Sequence, residues 1–249
     1  MNQWLSALWV EILKLRRSRL FWISLTASIL LPVMIGLVFS GWLGSQDAFE
    51  GEINMQGFMK ELGIVISMGG LIGFGFVFSW MFGREYTDRT VKDLLALPLS
   101  RYGVAAAKLI VAAALCAVLA VLMFIAGSIT AWLVQLDGWS LGAIAHGFRA
   151  YALLSLMIIC LSIPVAWMAS AGRGYLSPLG FVLLTIVIAQ FGGGLGIAEY
   201  IPWAIPGLLS GASGDESSHL GPLSCLLPYL TGGIGIAGTL AWWRYADQT

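Results

Sequence analysis

The sequence predicts an all-α integral membrane protein with six transmembrane helices. Three observations predict it. The 249 residues are 59% hydrophobic and only 10% charged, against roughly 25% charge in an average soluble domain. Six stretches run free of Asp, Glu, Lys and Arg for 22 residues or more: Leu20–Leu43, Leu62–Gly83, Leu109–Leu136, Ala150–Gly172, Gly174–Ala198 and Leu220–Trp243. A helix needs about 20 apolar residues to cross a bilayer, and barrel strands would instead alternate in polarity over about ten residues. Finally, the basic residues sort to one side. Lys14, Arg16, Arg17, Arg19, Arg84, Arg89, Lys92, Arg101, Lys108, Arg173 and Arg244 fall on one face, and only Lys60 and Arg149 on the other. Positive charge marks the cytoplasmic side, so both termini are expected in the cytoplasm of a multi-pass cell-membrane protein.

Residues 1–19 form a separate element ahead of the membrane domain, which takes residues 20–249. Trp4, Leu5, Leu8, Trp9, Ile12 and Leu13 recur at helical spacing, with Gln3, Ser6, Ala7, Glu11 and Lys14 on or near the opposite face. An amphipathic helix with tryptophans and a basic end suits the bilayer surface. Trp4, Trp9, Lys14, Arg16, Arg17 and Arg19 are its candidate membrane-surface residues. The first apolar stretch, 24 residues with Pro32 inside it, outruns the 7–15 residues of a signal-peptide core and reads as an uncleaved anchor.

Between the second and third stretches lies a charged island with internal order. Seven charged side chains crowd between Arg84 and Arg101. Asp88 with Lys92, and Arg89 with Asp93, are spaced as i,i+4 helix partners. Leu94, Leu95 and Leu97 supply an apolar side, and Pro98 a stop. Such a helix is built to dock rather than merely to stay wet. Between the fifth and sixth stretches, Pro202 and Pro206 bracket Trp203 in a segment too short to cross. A short helix lying at, or dipping into, the outer leaflet is expected there. Glycines with four-residue spacing, Gly69/Gly73 and Gly192/Gly196, mark candidate close-packing faces, and Gly232, Gly233, Gly235 and Gly238 cluster in the last stretch.

Several chemistries are disfavoured. Gly211-Ala212-Ser213-Gly214 matches the GxSG of rhomboid-type serine proteases. The activating histidine such a protease needs has only His146 and His219 as candidates, both at external loops. Ion-driven carriers place ionisable groups near the bilayer midplane. The six stretches contain none, and Gln190 is the most polar side chain deep within any of them. Energy is therefore expected from outside the membrane. No Gly-x-x-x-x-Gly-Lys-Ser/Thr phosphate loop is present for binding ATP in that way. Cys116, Cys160 and Cys225 are scattered, without metal or disulfide spacing.

Arg84-Glu85-Tyr86, Thr90, Lys92-Asp93-Leu94-Leu95, Leu97-Pro98 and Ser100-Arg101, followed by Lys108, resemble the first cytoplasmic loop of ABC-2 type transporter permeases. The pattern Trp9, Glu11, Lys14, Leu15, Arg16, Arg17 and the proline-bearing segment before the last stretch resemble the same family. The resemblance implies a cytoplasmic coupling helix in that loop, seated in a groove of a separate ATPase subunit. Its residues would be Arg84, Glu85, Asp88, Thr90, Lys92, Asp93, Leu94, Leu95, Pro98 and Arg101. It implies a re-entrant external segment, with Pro202, Trp203 and Pro206 as a cap. It further implies an exporter's membrane subunit, not itself an enzyme, with no cofactor of its own and with ATP and Mg2+ held by the partner. The implied partners are two ATPase subunits, a second copy or sister permease, and the lipid bilayer, with no nucleic acid. The lack of charge in the stretches favours an apolar or amphipathic substrate such as a peptide, drug or lipid. The alternative is a non-transporting membrane immunity or structural protein.

Overall fold

The structure is a computed structural model that describes residues 3–43, 53–88, 100–212 and 220–245. The described residues are mostly helical, with no strand among them. We number the helices α1 (Gln3–Arg16), α2 (Arg19–Phe39), α3 (Met55–Thr87), α4 (Arg101–Leu133), α5 (Leu141–Ala171), α6 (Leu176–Gly194), α7 (Ile205–Ser210) and α8 (Pro222–Tyr245). A single 3₁₀ turn, Ala198–Tyr200, precedes α7. Six of these helices, α2 to α6 and α8, are long and apolar enough to span a membrane.

Polar caps set where several helices start. Ser18, Asn54, Ser100 and Ser140 each accept a hydrogen bond from the backbone N–H three residues on, at 2.9–3.2 Å. Each satisfies one of the donors that a helix start leaves unpaired. These caps lie outside the apolar stretches, so α3 and α4 run to 33 residues each. That is about 50 Å, well beyond the roughly 30 Å of a bilayer's hydrocarbon. The helices thus carry residues that the charge-free stretches exclude, including Lys60, Glu85 and Lys108.

At the centre α3 packs along α5, and α5 along α8, while α2 lies on α4. Trp22, Ile23, Leu183, Phe191 and Ile234 face outward, a surface that only lipid or another apolar partner accommodates. The cluster of glycines in α8 is the seam with α5. A Cβ on Gly232, Gly235 or Gly238 would lie 2.7–2.9 Å from Cys160, Pro164 or Trp167. At the seam's end, Trp243 Nε1 donates to Ser170 Oγ at 3.0 Å, and its ring meets Phe82 edge-on at 6.1 Å.

The other glycine pairs behave differently. Gly69 and Gly73 are exposed, with no atom within 4 Å of an added Cβ. They close no contact among the described residues. Gly192 is buried under Ile201. Gly196 lies beyond the end of α6 with φ at +70°, so it turns the chain rather than sharing a helix stripe with Gly192. Gly36 in α2 packs so closely on Thr130 that an added Cβ would overlap the threonine methyl.

The proline-bearing segment is folded against the bundle. Trp203 stacks edge-on against Phe181 at 5.8 Å. Ile205, Pro206 and Leu208 are buried, and Pro202 is half-buried. Gly211, at φ +76°, ends α7. The GxSG serine, Ser213, and His219 lie outside the described residues, and His146 is exposed on α5.

Candidate functional site

The charged site forms where α1 crosses the ends of α3 and α4. Ala7, Glu11 and Leu15 recur every four residues and share one helix face. All three are buried, Glu11 at 3% exposure. Leu5, Trp9 and Ile12 point outward instead. The face that carries Glu11 is thus turned toward protein rather than water. Its reason is Lys108. That side chain is fully buried seven residues into α4, and an unpaired ammonium there would be prohibitive.

Lys108 Nζ donates to Glu11 Oε2 at 2.9 Å, to Glu85 Oε1 at 2.7 Å and to the Met81 carbonyl at 3.5 Å. An ammonium has three protons, and each has an acceptor. Lys14, half-exposed at the rim, lies 3.2 Å from Glu85 Oε1 and 3.5 Å from Glu11 Oε1. Arg84 approaches Glu85 at 3.8 Å and rests over the Trp80 ring at 4.5 Å. Two buried carboxylates thus face three cations drawn from α1, α3 and α4. Such a cluster adds little net stability over an apolar core, but it fixes register, because any slip leaves a charge unpaired.

Around this cluster sits a second ring. Gly83 lets the α5–α6 turn approach, since a Cβ there would lie 2.9 Å from the Tyr175 ring. Burial and the nearby Asp88 carboxylate raise the Tyr175 phenol above its ordinary pKa, opposed by a hydrogen bond with Thr87.

Of the residues expected to couple to a partner, the structure brings Arg84 and Glu85 into the cluster. It leaves Asp88 exposed at the end of α3 and Arg101 exposed at the start of α4. Thr90, Lys92, Asp93, Leu94, Leu95 and Pro98 lie outside the described residues. Among the membrane-surface candidates, Trp9, Arg16, Arg17 and Arg19 are exposed, and Lys14 turns inward to its carboxylates. The side chain of Trp4 lies outside the described residues. Sequence reasoning missed the pairing of Glu11 with Lys108 and the place of Tyr175. The available signal was an acid on α1, Glu11, and a lone base, Lys108, in the largely apolar start of α4.

The comparisons agree with this architecture. A family model described as "ABC-2 family transporter protein" matches residues 7–192, a span containing every member of the charge cluster. A bacitracin transport permease protein, BCRB, from Bacillus licheniformis is 22% identical over 192 residues, covering 74% of this chain and 88% of the relative. The family match spans most of the chain, and with six membrane-spanning helices the protein belongs to the ABC-2 family of transporter proteins, as the membrane subunit of an ABC transporter.

Proposed function

We propose that the chain exports an apolar or amphipathic substrate, a peptide, drug or lipid, using ATP hydrolysed on two separate ATPase subunits. ATP and Mg2+ would be held there, and this chain would bind neither. The segment between Asp88 and Ser100 is the contact for the ATPase. Its Leu94 and Leu95 enter an apolar groove while Arg84, Asp88, Lys92, Asp93 and Arg101 frame it. Both termini and this segment face the cytoplasm, as the distribution of basic residues supports. The permease works as a pair, with itself or a sister chain.

One observation carries this reading. The two roots of the segment, Glu85 on α3 and Lys108 on α4, are locked to each other and to α1. A push delivered to the segment is then passed to three helices at once rather than absorbed by a flexing loop. Trp9 and Arg16, Arg17 and Arg19 keep α1 at the membrane surface, so α1, α3 and α4 move there as one unit. The segment of Pro202 and Trp203 with α7, which holds Pro206, supports the same scheme. It lines a cavity with Ser67, Met68 and Leu71 of α3, residues about 21–27 Å along the helix from Glu85. That depth suits a re-entrant cap on the outer side.

The test is co-purification of the tagged full chain with its ATPase subunit from its native membrane, followed by ATP hydrolysis with and without substrate. Bacitracin, from the relative's name, is the first substrate to try. Leu94→Asp should abolish ATPase capture while leaving membrane insertion intact. Retained capture and substrate-stimulated hydrolysis in Leu94→Asp would sink the coupling assignment.

A further inference from the structure

A second pocket lies at the opposite end of the bundle, and the charge cluster takes no part in it. It is a cleft of about 380 Å³ between α3, α5 and the end of α7. Its polar lining includes Gln56, Lys60 and His146, and its apolar walls include Met59, Leu154 and Leu209. The polar groups can be accounted for one by one. Ser210 Oγ, also in the lining, donates to the Gly207 carbonyl, and Tyr151 donates to the Ala120 carbonyl. Both are spent. Among the described residues, the Lys60 ammonium has no carboxylate within ion-pair distance, and neither Gln56 nor His146 has a side-chain hydrogen bond. Glu61, next in sequence, feels the Lys60 charge but forms no ion pair with it.

The ammonium is also positioned. Gly211, at φ +76°, passes over the lysine stem, and a Cβ there would lie 2.9 Å from Lys60 Cε and 3.4 Å from Nζ. A residue with a side chain would push the stem away. The depth is equally informative. Lys60 and Glu85 lie on one continuous helix, 25 residues apart, or about 38 Å along its axis. With roughly 30 Å of hydrocarbon between them, Glu85 and Lys60 fall at the headgroup levels of opposite leaflets. A cation, an imidazole and an amide at headgroup level, above apolar walls, match one kind of molecule. We propose that this cleft binds a phosphate-headed membrane amphiphile, with its phosphate on Lys60, His146 and Gln56 and its chain along Met59, Leu154 and Leu209.

The test uses the purified full chain in nanodiscs of phosphatidylcholine doped with phosphatidic acid. Retained lipid is counted by native mass spectrometry after detergent exchange. The wild type should keep phosphatidic acid over phosphatidylcholine. Lys60→Gln with His146→Gln should lower that preference about tenfold, the loss expected for charge-assisted hydrogen bonds to phosphate. Ala150→Trp is the second variant. Ala150 lines the cleft one turn along α5 from His146, so a tryptophan fills the cleft while leaving Lys60 and His146 in place. It should lower retention as well, with an unchanged melting temperature in detergent free of phosphate-headed lipid. Loss in the charge variant but not in Ala150→Trp would mean attraction to a basic surface, and would overturn the site. No preference in the wild type would overturn it too. Millimolar inorganic phosphate should not displace the lipid; if it does, the cleft recognises phosphate alone, and the amphiphile assignment fails.

Discussion

At the Glu85 end of the bundle, α1, α3 and α4 meet through two buried carboxylates and the buried Lys108 ammonium, with Lys14 at the rim. At the Met55 end, the same long helices meet through shape. Gly36 of α2 lies on Thr130, Phe39 meets Phe58 edge-on at 5.4 Å, and Gly127 leaves room for Leu62. The backbone of Met55 reaches across to the Asp137 carbonyl at 2.9 Å. The cations of the two ends differ in the same way. Lys108 is enclosed by acceptors, whereas Lys60 is exposed with none described in reach. Fit alone tolerates small shifts, because packed side chains re-adjust. A buried ion cluster does not, since a shift leaves a charge without its partner. The end proposed to receive force is therefore the end built to transmit it.

The largest effect expected from this contrast is at Lys108. Lys108→Met leaves Glu11 and Glu85 buried with only the rim cation Lys14 and the more distant Arg84 near them. The loss should be about 3–5 kcal/mol, read from unfolding in mixed micelles. Glu11→Gln, Glu85→Gln and Lys108→Met combined should cost less than Lys108→Met alone, because no carboxylate then remains buried without a cation. A combined variant worse than the single one would mean that the cluster stabilises by attraction, not by register.

At the shape-held end, the test is a pair of glycines. Gly36→Val should destabilise by about 1–3 kcal/mol, because the new side chain lands on Thr130 and the packed pair of helices must separate. Gly73→Val meets nothing within 4 Å and should stay within about 0.5 kcal/mol of wild type in the isolated chain. This order reverses what the spacing of the glycines suggests. If Gly73→Val proves the worse in a purified single chain, the α2–α4 contact is not what holds this end. If it proves worse only in the assembled transporter, the open α3 face is a contact between subunits.

The six spans were legible because hydropathy over about 20 residues is a direct consequence of bilayer thickness. The charge cluster was only half legible. Glu85 and Lys108 stood out as motif members, yet the charge-free stretches stop at Gly83 and start again at Leu109. Those limits mark where charge begins. The helices themselves end at caps, Asp88 for α3 and Ser100 for α4, so both charges lie inside helices. Their pairing joins residues 23 and 97 positions apart in sequence, and no local spacing encodes a contact of that range. The inward turn of α1 was hidden for the same reason. Its two faces were readable from periodicity, but which face meets protein depended on Lys108, far along the chain.

A smaller effect is expected at Trp243, the uncharged tie of the Glu85 end. Trp243→Phe keeps the ring against Phe82 but removes the hydrogen bond to Ser170 Oγ. That hydroxyl already donates to the Ala166 carbonyl at 2.9 Å, so it is not left without a partner. The loss should be about 1 kcal/mol by unfolding in mixed micelles. A value comparable with Lys108→Met would show that this end depends on the tryptophan tie as much as on its ions.

The smallest effect is expected at Lys60, and it is the sharpest check on the comparison. Lys60→Gln removes the same charge as Lys108→Met. At Lys60, however, the ammonium is exposed, no described carboxylate is ion-paired to it, and its neighbour Glu61 is not fully buried. The atoms nearest Gly211, Cε and Nζ, are absent from glutamine, but losing that contact at an exposed position costs little. Stability should therefore remain within about 0.5 kcal/mol of wild type. The measurement must be made in detergent free of phosphate-headed lipid, because a bound ligand would itself stabilise the folded state and be lost in the variant. Equal losses for Lys60→Gln and Lys108→Met under those conditions would mean that an acid outside the described residues closes onto Lys60. The two ends of the bundle would then be held by the same physics.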